Sequence, residues 1–169
     1  HVARYGMDLG AEAGETARSG GHRLPYAPGA RRFDLGNYNY LGAVSAEASL
    51  KVISSIGVDR IERHLRALAM RLAEGLVELG LPVAGGSPGP HLGHIVAVGH
   101  SGGGHHDTAD DPVMNDLYQH LTANGVHLSI RKGILRMSLG LYNDVSDVDR
   151  TLELVRSWAE TRPVRSYAS

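Results

Sequence analysis

Two arginines that frame a short turn late in the chain carry the strongest chemical signal. They lie in Ser129-Ile-Arg131-Lys-Gly-Ile-Leu-Arg136-Met-Ser-Leu-Gly-Leu-Tyr142-Asn143. Apolar, β-type runs at 126–130 and 134–139 flank Lys132-Gly133, a pattern that predicts a tight hairpin. Arg131 leaves the first strand and Arg136 sits inside the second. A strand interior holds a guanidinium only where it reaches solvent or an anion, because an unpaired buried charge is costly. The planar fork of arginine matches a carboxylate through two parallel hydrogen bonds. The hairpin therefore reads as a clamp for a small carboxylate, with Arg136 and Arg131 as candidate substrate-binding residues. The plain alternative is two arginines on the wet side of an ordinary hairpin, where each contributes little.

The histidines offer a second chemistry. His91, His94, His100, His105, His106 and Asp107 fall in one loop-flanked region. Imidazole suits zinc, but ligands must converge in a fixed geometry with supporting partners. Gly102-Gly103-Gly104 lies among them and favours a solvated loop, so no metal site is expected. That glycine run also lacks the Lys-Ser/Thr of a phosphate-binding loop. His120 is expected on a helix surface and His127 on a strand surface. Tyr38 and Tyr40 fit either an active-site mouth or interface packing.

Composition narrows the field. The chain has 169 residues, enough for one compact domain or a domain plus an arm. It is 42% hydrophobic and 21% charged, without an apolar run long enough to span a bilayer. A net charge of −1 gives no reason to expect a nucleic-acid partner. There is no cysteine, which removes disulfides, thiolate metal sites and a cysteine nucleophile from this chain. Lysine supplies only Lys51 and Lys132. Residues 1–32 are rich in Gly, Ala, Pro and Arg, begin at His1 without an initiator Met, and show no sustained periodicity. They read as an irregular arm joining the rest to a longer protein.

The elements that would position the arginines follow from periodicity. A turn-rich segment, Gly36-Asn37-Tyr38-Asn39-Tyr40-Leu41-Gly42, leads into a predicted helix over 43–55 with Val44, Ala48, Val52 and Ile56 as its stripe. Gly57 fits a stop, and Asp59 suits the first turn of the next helix, 58–79. That helix repeats Ile61, Leu65, Leu68, Leu72, Leu76 and Leu79 until Gly80 and Pro82 end it. Short strands are predicted at 81–84 and 94–98, a helix at 112–123 closed by Asn124-Gly125, then the hairpin. A last helix is predicted at 147–159, capped by Ser146, with Val148, Leu152, Val155 and Trp158 or Ala159 inward. The order implies an α+β fold, a mostly antiparallel sheet of three or four strands covered by helices.

Three stretches together carry a family resemblance: Phe33-Asp-Leu-Gly-Asn-Tyr-Asn, Ile53-Ser-Ser-Ile-Gly-Val-Asp-Arg-Ile, and Arg136-Met-Ser-Leu-Gly-Leu-Tyr-Asn-Asp-Val-Ser-Asp-Val-Asp. They resemble the C-terminal third of class V aminotransferase-like enzymes. These are pyridoxal 5′-phosphate (PLP) proteins of fold type I that include cysteine desulfurases, isopenicillin-N epimerase-like proteins and kynureninases. The resemblance implies a connecting arm at 1–32 from a large PLP-binding domain. It implies a small C-terminal domain at 33–169, with 33–42 as interface segment.

It further implies that Arg136 binds the α-carboxylate of an amino-acid substrate, with Arg131 a second arginine nearby. Gly36, Asn37 and Asn39 would contact the cofactor phosphate across a homodimer interface, in a cytoplasmic enzyme. Asn37 stands where the family carries Thr. The family's Schiff-base lysine has no counterpart here, and neither Lys51 nor Lys132 fits that role, so no catalytic residue is expected on this chain. Desulfurases carry a cysteine between the positions matching Arg131 and Arg136; this chain has Lys-Gly-Ile-Leu there, which disfavours desulfuration. Transamination, epimerisation and elimination remain open. The other reading is a non-catalytic α+β domain that binds a small ligand or anion.

Overall fold

Alternation along the hairpin strands decides which side of the sheet becomes core. In the computed structural model, which describes residues 29–30, 39–100 and 108–161, the chain forms two compact units, His1–Ser55 and Ile56–Ser169. Most of the expected arm, together with Gly36, Asn37, Tyr38, His105, His106, Asp107 and the glycine run 102–104, lies outside the described residues.

In the first unit, helix α1 spans Tyr40–Ile56. It starts three residues before the expected position because Asn39 caps it, its Oδ1 accepting the Gly42 N–H at 2.8 Å. The predicted stripe does not form a core here: none of its residues is buried, and Val44 and Val52 are exposed.

The second unit is a two-layer α+β structure. Helix α2 (Val58–Glu78) is followed by β1 (Ile95–Val98), α3 (Pro112–Ala123), β2 (Ser129–Arg131), β3 (Ile134–Ser138) and α4 (Val145–Thr161). The strands form an antiparallel sheet in the order β1-β3-β2. The expected strand at 81–84 is reduced to a single bridge between Val83 and Val98. Pro82 offers no N–H to extend a ladder there. Helix α2 packs against β1, α3 against β3, and α4 against both helices.

Leu68, Leu72 and Leu76 of α2, Leu117 and Leu121 of α3, and Val148, Val155 and Trp158 of α4 fill the core with Val96, Val98, Ile130, Leu135 and Met137 of the sheet. Two polar links hold the helices in place. The Arg71 guanidinium meets Asp149 at 2.7 Å, and the Trp158 indole N–H donates to Asp116 at 2.6 Å. His120, expected on a surface, is half-buried with its Nε2 enclosed and lacking a hydrogen-bond partner.

The start of α4 also differs from expectation. Asp144 rather than Ser146 caps it: Asp144 Oδ1 accepts the Ser146 N–H at 2.7 Å and Oγ–H at 2.6 Å. Asp147 Oδ2 accepts the Asp144 N–H at 3.1 Å in return, closing a reciprocal box. Ser146 is a good cap by type, but the carboxylates at 144 and 147 are spaced to satisfy each other's backbone. These bonds hold the Asp144 carboxyl below its ordinary range, the Ser146 hydroxyl contributing most.

Candidate functional site

The arginines are placed by a two-residue turn with both central residues left-handed, Lys132 at φ 49° and Gly133 at φ 85°. Such turns match the right-handed twist of the strands they join. Gly99 packs behind it at φ 107°, where a Cβ would stand 3.0 Å from the Gly133 carbonyl oxygen. The register follows: Arg131 pairs with Ile134, Ile130 with Leu135 and Ser129 with Arg136, while Arg136 pairs with Ala97 on its other side.

Directly paired residues share a sheet face. Ala97, Arg136 and Ser129 therefore form one row across the sheet, opposite to the face the helices cover. Arg131 lies on the same face one row nearer the turn. Arg131 is exposed and Arg136 half-buried. Ion pairs among the described residues include Lys51–Glu47, Arg66–Glu62 and Arg71–Asp149, and none of these involves Arg136.

Arg136 opens into a shallow hollow of about 270 Å³ shared with His127, Ser129 and Ser138. His127 is exposed, but it lies ahead of β2 and not on a strand, since the first arm of the hairpin is shorter than the expected 126–130 run. The hollow thus gathers a guanidinium, an imidazole and two hydroxyls, a donor-rich set suited to a carboxylate.

The turn that leaves β3 is held by Asn143, whose role the sequence reading missed. Its Oδ1 accepts the Gly140 N–H at 2.8 Å and its Nδ2 donates to Asp147 at 3.0 Å. Its backbone N–H donates to the Gly140 carbonyl at 3.1 Å, and its own carbonyl lies 2.9 Å from His64 Nε2. Asn143 therefore joins β3, α4 and α2. The available signal was its spacing, three residues after a glycine and four before an aspartate. Tyr142 beside it is 86% exposed.

The described residues can be tested for fit to a PLP group. Neither lysine suits a covalent link: Lys51 pairs with Glu47 at 2.7 Å on exposed α1, and Lys132 is exposed at the turn tip. Of the expected phosphate contacts, Asn39 is described; its Oδ1 is taken by the helix cap, which leaves its Nδ2 as the donor a phosphate needs. The residues fit one phosphate donor and, separately in the second unit, a carboxylate anchor. Among the described residues no three metal-ligating side chains converge; His91, His94 and His100 are exposed.

A sequence profile described as Aminotransferase class-V matches residues 9–151. A probable cysteine desulfurase of Pyrococcus abyssi is 31% identical over 137 residues, covering 75% of this chain and 33% of its own length. An uncharacterized aminotransferase of Schizosaccharomyces pombe is 26% identical over 133 residues, covering 78% of this chain and 30% of its own. The chain thus spans about a third of the length of these relatives. Among solved structures, the apo cysteine desulfurase of Thermococcus onnurineus NA1 superposes with a TM-score of 0.64 at 23% identity, over 84% of this chain and 36% of that one. A serine palmitoyltransferase of Sphingomonas wittichii gives 0.59 at 20% identity, over 78% and 32%. At these identities the structures show a shared α+β fold. The profile covers most of the chain, and the arginine hairpin and Asn143 turn lie within it: the protein belongs to the class V aminotransferase family of PLP-dependent enzymes.

Proposed function

We propose that this chain is the carboxylate-holding lobe of a PLP-dependent enzyme acting on an amino acid. The observation that carries the reading is Arg136, half-buried on the sheet face away from the helices and without an acidic partner among the described residues. A guanidinium kept partly out of water gains most from an anion that arrives with the substrate. Arg131 on the same face adds positive potential that favours entry of that anion. A carboxylate gripped at two points cannot rotate freely, so Arg136 fixes which bond at the α-carbon is presented for cleavage. When bound, the cofactor supplies the electron sink that draws away the electrons of that bond. Gly36, Asn37 and Asn39 serve its phosphate in a homodimer. Transamination, epimerisation and elimination all begin this way; the hairpin holds no thiol between Arg131 and Arg136, which disfavours desulfuration.

The test is Arg136→Ala in the complete enzyme. It should reduce kcat/KM by roughly 2–5 kcal/mol, about thirtyfold to several thousandfold. Arg136→Lys should recover only part of the loss, since a point charge cannot reproduce the planar fork. An unchanged rate with the amino-acid substrate removes the assignment. The complete protein should also be yellow with bound cofactor, whereas a non-catalytic binding domain would be colourless.

A further inference from the structure

We propose that His127 is a specificity-determining residue and that, with Ser138, it takes a second acidic group, so that the substrate is an amino acid with a short acidic side chain. The inference rests on the reading of Arg136 above and names its substrate class. His127, Leu128, Ser129, Arg136 and Ser138 line one hollow. Ser129 pairs directly with Arg136, and the two form the end of the hollow nearer the turn. Ser138 follows two residues along β3, on the same face and about 7 Å farther from the turn at the usual rise per residue. His127 precedes Ser129 by two residues, ahead of β2, and it borders the neighbouring cleft together with Ser138. His127 and Ser138 therefore stand together at the end of the hollow away from the turn.

The donors exceed what one carboxylate uses. The two oxygens of a carboxylate lie much closer together than the two ends of the hollow, so one held by Arg136 and Ser129 leaves His127 and Ser138 to another group. Hydroxyls on the helices turn back to carbonyls of the preceding turn, as at Ser49, Ser55 and Ser157. On a strand the side chains stand off the sheet, so the Ser129 and Ser138 hydroxyls are offered to the hollow instead. The charge of the second group follows from its surroundings. None of the described lining residues is acidic, and Arg131 shares the face with Arg136. A charged acceptor therefore gains most from the imidazole N–H and the hydroxyl. The neighbouring cleft also sets Asp147 and Arg150 beside His127; their charges offset, and Asp147 already accepts from Asn143 and the Asp144 N–H. The hollow, at about 270 Å³, holds more than one carboxylate yet falls below the roughly 300–1,000 Å³ usual for small-molecule sites, so the side chain is short.

The 169-residue chain itself provides the test, with valerate and glutarate as probes at fixed ionic strength, followed by amide NMR shifts. The two have equal carbon number and differ in the second carboxylate. Valerate should perturb Ser129 and Arg136. Glutarate should perturb His127 and Ser138 as well and bind about tenfold more tightly. His127→Ala should erase that gain and leave valerate binding unchanged, while His127→Asn, which keeps a side-chain N–H donor, should restore part of it. If the spectra of the His127 variants show misfolding, Ser138→Ala, at an exposed position, reads the same contact from β3. Glutarate shifts confined to Ser129 and Arg136, or a gain that survives both His127→Ala and Ser138→Ala, would overturn the second contact and leave the carboxylate reading intact. If neither probe moves Arg136, the carboxylate reading itself fails.

Discussion

On one face of the β1-β3-β2 sheet, Val96, Val98, Ile130, Leu135 and Met137 are buried under three helices. On the other, Ser129, Arg136 and Ser138 lie half-buried or exposed around a donor-rich hollow, with Ala97 in the same row as Arg136. The same strands build both, and within β3 the two purposes alternate residue by residue. Leu135 has no measurable exposure, while Arg136, the next residue, anchors the proposed site. A register slip by one residue would exchange the two sets. The left-handed Lys132-Gly133 turn is what prevents the slip, since it fixes which residues oppose each other. Stability and recognition can therefore be separated by adjacent substitutions.

That separation is open to direct attack. Leu135→Ala removes a fully buried side chain and should cost about 2–5 kcal/mol of folding stability, read from urea unfolding. Arg136→Ala should change stability by less than about 1 kcal/mol, because it breaks no ion pair with a described residue, while abolishing most activity. Equal losses of stability from the two variants would show that the faces are not distinct in energy. The next largest effect belongs to the hairpin's support. Gly99→Ala places a Cβ 3.0 Å from a backbone oxygen, at a φ of 107° that L-residues avoid. It should cost about 1–3 kcal/mol and, by shifting the turn, lower activity as well. Such a variant would touch both faces at once, where Leu135→Ala and Arg136→Ala each touch one.

The covered face was legible in the sequence because burial leaves periodic traces. The repeats of Leu68, Leu72 and Leu76, and of Val148, Val155 and Trp158, marked the helices that became core, and Lys132-Gly133 marked the hairpin. Where propensity and tertiary context disagreed, the reading failed. The apolar residues of α1 have helical spacing yet none is buried, since spacing reports what a helix can bury and not what meets it. Residues 81–84 are apolar like a strand, but Pro82 limits them to one bridge. The open face was legible only in part. Arg131 and Arg136 stand out because charge is unusual inside a strand. The contribution of Ser129 and Ser138 emerges only from register, and of the four bonds of Asn143 the one to His64 joins elements far apart in sequence.

The smallest effect tests how the turn beyond the open face is secured. Asp144 caps α4, and its carboxyl is held below the ordinary value chiefly by the Ser146 hydroxyl, then by the Ser146 and Asp147 N–H groups. A carboxyl whose folded value is lowered favours the charged form on folding. Its contribution is complete above the unfolded value, near 3.8, and is lost as the pH falls through the lower folded value. Asp144→Ala should therefore lower the melting temperature by a few degrees at neutral pH. The gap between variant and parent should stay level down to about pH 5 and narrow below about pH 4. Asp144→Asn keeps a capping side chain but not the charge, so it should lose less at neutral pH and show little of the acid narrowing. Because the Asp144 N–H also donates to Asp147, the partner of Asn143, the loss should be accompanied by amide shifts at Gly140 and Asn143. A melting difference that stayed constant into strong acid would show that the cap acts through its shape alone, and that charge has no part in holding the turn next to the arginine strand.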